Sequence, residues 1–159
     1  MALRDPGPVL SEHVGVVAAP VGRVRPVVLA VTTGEFRGAD VPLVLGGHAD
    51  RQVLVTGGPD VFSAIVVGIP LTIEVDHDGG WVQARGQWWW CGRFQVEEGT
   101  SGDTVVRQRT FNCASGVGAK LVPFTVGRGH RRDGEKALRR LLKDLSERLD
   151  CETWMLPDR

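Results

Sequence analysis

The segment DGEKALRRLLKDLSERLD, at residues 133–150, places leucine at the spacing of an α-helix. The leucines fall at i, i+3, i+4, i+7 and i+11, inside a stripe about 100° wide, which is typical of a helix that buries one face. Glu135 with Arg139, and Asp144 with Arg148, form i,i+4 pairs with the acid first, the more favourable order. The pattern predicts one long amphipathic helix whose apolar stripe needs a partner surface. The stripe consists of Leu138, Leu141, Leu142, Leu145 and Leu149.

The partner surface predicted for this helix is an antiparallel sheet, because strand signals follow one another from residue 52 to residue 113. Val61–Val67 is nearly all apolar and is expected to be buried on both faces. A further strand, 10–18, precedes one or two short helices at 20–33. One sheet against one long helix predicts an α+β fold. The strands after residue 50 are expected at 52–56, 61–67, 69–76, 81–97 and 103–113, with Gly- and Pro-rich turns between them.

Three consecutive tryptophans lie in the middle of the predicted strand 81–97. Neighbouring residues of a strand point to opposite faces, so the apolar even-numbered set, with Trp88, Trp90 and Phe94, is expected to face the helix. These rings either fill the core or form one wall of an apolar pocket, with their indole N–H groups as donors. The odd-numbered set is mostly polar, so Trp89 is expected outside, as a homodimer contact or stacked on an arginine of the next strand.

Composition excludes several classes of function. Lys+Arg and Asp+Glu both number 19, so the net charge of zero argues against a general affinity for nucleic acid or anionic membranes. No apolar run reaches the length of a membrane span, so no membrane insertion is expected. Residues 1–8 lack the pattern of a secretory signal, and we expect a cytoplasmic protein.

The residues that most often bind metals or cofactors are scattered. The three cysteines, Cys91, Cys113 and Cys151, have no CxxC spacing and read as free thiols of a reducing compartment, although the first two could face each other on neighbouring strands. No two histidines have a metal-ligand spacing, and the glycine-rich stretch 116–120 lacks the spacing of a nucleotide loop. We therefore expect neither a metal nor a cofactor.

Three stretches carry a likeness to a known family. Glu-His-Val-Gly-Val-Val-Ala-Ala-Pro at 12–20 runs into the valine-rich segment 21–31, a late hairpin covers 86–106, and the closing helix covers 135–149. This order of elements resembles the START-like superfamily, also called SRPBCC, which includes the polyketide cyclase/dehydratase and Bet v 1-like proteins. The resemblance covers about residues 10 to 150 and is a pattern of elements rather than a signature motif.

The resemblance implies a helix-grip fold, in which a curved antiparallel sheet wraps around the long helix and encloses a hydrophobic cavity. Residues 1–9 are then a loose lead-in, 10–150 a single START-like domain and 151–159 a C-terminal tail. Members of the family bind lipids, sterols, quinones, polyketides or plant hormones, and some are cyclases or dehydratases. The family has no universal catalytic residue, so the fold does not decide the function. The expected cavity wall is Ile73, Trp88, Trp90, Phe94, Leu138, Leu142 and Leu145.

Three functions remain open from the sequence. The first is a carrier or sensor that binds a hydrophobic small molecule, such as a lipid, quinone or polyketide. The second is a cyclase- or dehydratase-like enzyme, which needs an acid or base among apolar walls. The third is an interaction module whose groove receives an apolar segment of a partner. The candidate polar groups of the enzyme are Arg107 and Arg109, if their strand face points inward, together with His130 and Glu74.

Overall fold

The computed structural model describes residues 6–86 and 88–158 and has an α+β architecture, as the sequence predicts. Its strands form one antiparallel sheet in the order β2-β3-β4-β5-β6-β7-β8-β1-β9. The strands are Val9–Val17 (β1), Gly34–Phe36 (β2), Val53–Gly57 (β3), Val61–Val66 (β4), Ile69–Asp76 (β5), Trp81–Gly86 (β6), Trp90–Glu98 (β7), Thr104–Asn112 (β8) and Thr153–Met155 (β9). The helices are Val21–Val28 (α1), Gly116–Leu121 (α2) and His130–Leu149 (α3), with 3₁₀ turns at Gly38–Asp40, Leu43–His48 and Val122–Phe124.

The long helix α3 lies across β1 and β8, and four of the five leucines of its stripe are buried. Two glycines let helix and sheet approach closely. A Cβ on Gly15 of β1 would lie 2.6 Å from Cδ1 of Leu142, and a Cβ on Gly134 of α3 would lie 2.5 Å from Oε1 of Gln108. Glycine therefore occupies the two points of closest approach, and the leucine stripe fills the space beside the crossing.

The 3₁₀ segment Leu43–His48 closes the other side of the core. Leu43 and Leu45 are buried against the same apolar cluster as α3, together with Val41. The stretch forms 3₁₀ turns, and Leu43 and Val44 line a small pocket beside α3. Its side chains occupy much of the space between the sheet and α3.

The strand β4 differs from its prediction, because only one of its faces is buried. Val61 is 50% exposed and Ile65 is 45% exposed, whereas Phe62, Ala64 and Val66 lie in the core. An apolar run of this length does not distinguish a strand buried on two faces from one with an exposed apolar face. The outer face of β4 is not covered by any other element among the described residues.

The prediction of one strand from residue 81 to 97 is wrong, because the chain turns back in its middle. Gly86 of β6 pairs with Trp90 of β7, and Trp88 and Trp89 lie in the turn between the two strands. The even-numbered residues that remain in the strands, including Trp90 and Phe94, do face the core. The alternation of side chains between the two faces stops at the turn, because the chain is no longer extended there.

The chain ends add to the sheet. The segment that the sequence assigns to a tail contains β9, which pairs with β1 through Gly15–Met155 and Val16–Trp154. Val9, the last residue of the predicted lead-in, already belongs to β1. Residues 1–5 of that lead-in, and residue 159 of the tail, lie outside the described residues.

The close crossing of α3 and β1 predicts that a side chain at Gly15 lowers the free energy of unfolding. Gly15→Ala inserts a methyl group against buried Leu142, and overpacking of this kind costs about 1–3 kcal/mol. Gly22→Ala in α1 is the matched control, because its Cβ meets no atom within 4 Å and alanine favours the helix by up to about 1 kcal/mol. Urea unfolding measures both free energies of unfolding. Equal values for the two variants would contradict the crossing described here.

Candidate functional site

A cleft of about 530 Å³ opens between the N-terminal half of α3 and the strands β4 to β7. Its two walls differ in chemistry. The sheet side contributes apolar residues, namely Val66, Ile69, Leu71, Trp89 and Trp90. The helix side is mostly polar and contributes His130, Asp133, Lys136 and Arg140 from α3, His48 at the end of the 3₁₀ segment, Arg51 just after it, and one apolar residue, Val126.

The space beneath this cleft is almost filled. A second pocket, about 50 Å³ in volume, lies deeper between Trp90, Phe94, Gln108 and Leu141. This volume holds a few water molecules at most. Large side chains from the 3₁₀ segment and α3 occupy the rest, so an apolar molecule of the size expected for a carrier has room in the open cleft and not below it.

The residues expected to form a cavity wall separate into three groups. Trp90 and Phe94 line the pockets. Trp88 is 59% exposed, so the prediction that it faces the helix is wrong, and the reason is the turn. The others pack in the closed core without facing either pocket. They are Ile73, Leu138, Leu142 and Leu145.

Arg107 and Arg109 point to the outer face of the sheet and not into the cleft. Arg107 forms an ion pair of 3.0 Å with Glu97, and both arginines pair with Glu12 of β1. The inward residues of β8 are the buried Gln108 and Thr110, whose side chains hydrogen bond each other at 3.2 Å. The two arginines are thus ion-paired surface residues, and neither serves as a polar group of the cleft.

An arginine does stack on aromatic rings at the outer face of the sheet, but the residues are not those that the sequence predicts. The guanidinium of Arg93 lies 4.1 Å from the ring centre of Trp81 and 4.9 Å from that of Phe111. Its Nε donates a hydrogen bond of 2.9 Å to Gln83. Trp89, expected here, is instead buried beside the cleft with 6% of its surface exposed.

A larger depression, about 830 Å³, lies on this outer face between β1 and the residues after β9. Its lining includes Glu12, Arg107 and Asp158. These charges already have partners, since Glu12 pairs with Arg107 and Asp158 pairs with His13 at 3.1 Å. Of the charged side chains that line the depression, only Arg131 forms no ion pair with a described residue, whereas three such cations line the cleft.

Two histidines line the cleft, and both are kept neutral. Burial lowers the pKa of His48, and the nearby charges of Arg51 and Arg140 lower it further against an opposing effect of Asp50. Burial likewise lowers the pKa of His130, with Arg131 adding to the effect and Asp133 opposing it. At pH 7 each imidazole is therefore an uncharged donor and acceptor, able to hydrogen bond a ligand or accept a proton.

Two buried polar atoms of the cleft residues have no partner among the described residues. They are the indole Nε1 of Trp89 and Nδ1 of His130. A buried donor without a partner costs about 1–3 kcal/mol. A bound molecule or ordered water that accepts from the indole would recover this energy.

The sequence reasoning missed most of the polar wall. Asp133, Lys136 and Arg140 follow each other at i, i+3 and i+7, a helical stripe beside the leucines, but this spacing does not distinguish a polar cleft wall from a solvated face. Arg51 and His48 carry no such signal, because they reach the cleft only through the fold of the 3₁₀ segment. Of the proposed acid–base candidates, only His130 lines the cleft.

Cys91 and Cys113 are neighbours, as the sequence suggested, and neither forms a disulfide. A hydrogen bond between the two thiols lowers the pKa of Cys113 to about 7, although burial opposes the shift. The same hydrogen bond, together with burial, raises the pKa of Cys91. Cys113 is therefore the reactive member of the pair, since the thiolate is the nucleophile.

The lowered pKa of Cys113 predicts alkylation at neutral pH. The thiolate is present above about pH 7 and lost below it, so the rate of reaction with iodoacetamide should rise with a midpoint near pH 7. Cys91→Ala removes the hydrogen bond and should move this midpoint up, toward the ordinary value of 9.0. Peptide mass spectrometry follows the modification. An unchanged midpoint in the variant would mean that the Cys91 thiol does not set the pKa.

Further observations bear on the class of protein. None of the described helices combines the length and apolar composition needed to cross a membrane. Among residues 6–86 and 88–158, no three His, Cys, Asp or Glu side chains come together as around a metal ion. No protein-family model matches the chain, and no curated protein matches it. The cleft itself is therefore the basis for a function.

Proposed function

We propose that the protein binds a small molecule with a large apolar part in the cleft between the sheet and α3. The observation that carries this proposal is the pair of unlike walls, one apolar and formed by the sheet, the other polar and formed by the helix. A concave site with mostly apolar lining and a few placed polar groups is typical of small-molecule binding.

The size of the cleft supports a small ligand. Its volume, about 530 Å³, lies within the range of about 300–1,000 Å³ that is usual for small-molecule sites. Leu71 and Trp90 are only partly buried and pack against the core, so their remaining apolar surface faces the opening. Covering such surface stabilises a complex by about 25 cal/mol per Å².

We further infer a helix-grip arrangement of the START-like kind, with the site shifted to the end of the helix. The support is the crossing of α3 over β1 and β8 and the position of the cleft at the N-terminal half of α3. The pocket beneath the cleft measures only about 50 Å³, so the ligand lies in the open cleft and not in a cavity along the whole helix. Lipid, quinone and polyketide-like molecules remain the ligand classes proposed.

A cyclase- or dehydratase-like activity is the second candidate, and the two neutral histidines favour it. His48 and His130 line the same cleft, and a neutral imidazole can accept a proton from a bound substrate. Mass spectrometry of non-aromatic polyketides with a β-hydroxyketone group, incubated with the protein, distinguishes the two functions, because a base that removes a proton from the carbon between the carbonyl and the hydroxyl-bearing carbon expels the hydroxyl as water. An enzyme yields a product lighter by one water, which His130→Asn abolishes, whereas a carrier returns each compound unchanged.

Binding of a neutral fluorescent dye tests the cleft. N-phenyl-1-naphthylamine should bind with one molecule per chain, and Leu71→Gln should weaken its binding about tenfold or more, since removing a buried leucine contact costs about 1.5–3 kcal/mol. Leu54→Gln is the matched control, because Leu54 is also a leucine of the sheet but is 38% exposed and does not line the cleft.

Fluorescence titration gives both affinities. No binding by the parent protein, or equal losses in the two leucine variants, would contradict a ligand site in the cleft.

A further inference from the structure

The helix wall of the cleft carries three cations that lack an acidic partner. Arg51, Lys136 and Arg140 all line the cleft, and none of them forms an ion pair with a described residue. Arg139, the neighbour of Arg140 on α3, is paired with Glu135 at 2.8 Å. The cleft therefore has positive charges available to a ligand, whereas the charge of Arg139 is already paired.

Two of these charges, those of Arg51 and Arg140, lie at the end of the cleft that contains His48. A Cβ on Gly47 would lie 3.2 Å from Nη1 of Arg140, so this guanidinium packs against the backbone beside His48. Arg51 and Arg140 both line the cleft together with His48, and the charges of both lower the pKa of its imidazole. Glycine at position 47 leaves room for the guanidinium, which a larger residue would displace.

The only carboxylate that lines the cleft lies toward the other end. Asp133 is in the first turn of α3 and acts on His130, not on His48. Asp50 acts on His48 but does not line the cleft. The electrostatic potential thus falls along the cleft from the Arg51–Arg140 end to the Asp133 end, which favours one orientation of a charged ligand.

A second, independent feature of the cleft also requires an acceptor. The side chain of Trp89 is 6% exposed, and its indole N–H has no partner among the described residues. Apolar surface on the sheet wall, guanidiniums on the helix wall and a buried N–H donor match a molecule with an apolar body and more than one oxygen.

We propose that the ligand is an anionic amphiphile, whose carboxylate or phosphate lies between Arg51 and Arg140 and whose apolar body covers Leu71 and Trp90. This inference rests on the proposed function and adds the chemical class of the ligand. A second oxygen of the ligand accepts the hydrogen bond from the Trp89 indole. Guanidinium groups bind such oxyanions with paired hydrogen bonds, which are stronger than hydrogen bonds between neutral groups.

The test compares three ligands with the same ten-carbon chain, namely decanoate, 1-decanol and decyltrimethylammonium. Each displaces N-phenyl-1-naphthylamine from the protein at pH 7.5, where a carboxylic acid is ionised. Decanoate should bind about tenfold to a hundredfold more tightly than the alcohol, and the cation most weakly. The preference should shrink as salt is added, because salt screens exposed charges.

Two variants then test which arginine of α3 binds the anionic group of the ligand. Arg140→Gln should abolish most of the preference for decanoate, because it should weaken the binding of decanoate much more than that of 1-decanol. Arg139→Gln, a loss of the same charge one position earlier on α3, should leave both affinities unchanged, because Arg139 does not line the cleft. In parent protein, decanoate should also raise the pKa of His48, measured by NMR, since the anion offsets the two arginines.

The outcomes separate this inference from the function on which it rests. If the dye binds but decanoate displaces it no better than 1-decanol, the anionic class is wrong and the apolar site stands. The same conclusion follows if Arg140→Gln and Arg139→Gln behave alike. If the dye does not bind at all, the proposed function fails and this inference fails with it.

Discussion

The packing of α3 onto β1 and β8 is the interaction on which the rest of the structure depends. It needs an apolar stripe on the helix and missing side chains at Gly15 and Gly134, because any Cβ at these positions would contact its neighbour closely. The leucines supply most of the burial near this crossing, and buried side chains of this kind contribute about 1.5–3 kcal/mol each. The sheet must curve to follow the helix, and its far strands then stand away from the start of α3.

This geometry decides where a ligand can lie. Beneath the cleft, side chains of the sheet, α3 and the 3₁₀ segment pack together and leave a pocket of only about 50 Å³. At the start of α3 the strands β4 to β7 diverge from the helix and leave about 530 Å³ open. The apolar wall is a continuation of the core, and the polar wall is the flank of the helix. The amphipathic cleft therefore lies beside the crossing of α3 with β1 and β8, between the N-terminal half of α3 and the strands β4 to β7.

Much of the fold could be predicted from local patterns, but the site could not. The spacing of leucines identified α3 to within three residues at its start, and alternation identified most strands. The turn inside residues 81–97 was missed because three tryptophans contain no turn signal, and that error reversed the expected positions of Trp88 and Trp89. The sequence does not predict which face of the sheet Arg107 and Arg109 occupy, because both faces of their strand mix polar and apolar residues. Ion pairs with Glu12 hold the two side chains on the outer face.

The sequence by itself determined the α+β class, the amphipathic helix and the free cysteines. Each of these depends on spacing within one element or on a simple count. Only the tertiary structure decided that Arg51 and Arg140, almost ninety residues apart, line one cleft with Trp90. Periodicity tells which face of its own element a residue occupies. The distance between elements, which leaves one region filled and another open, depends on how their side chains pack together.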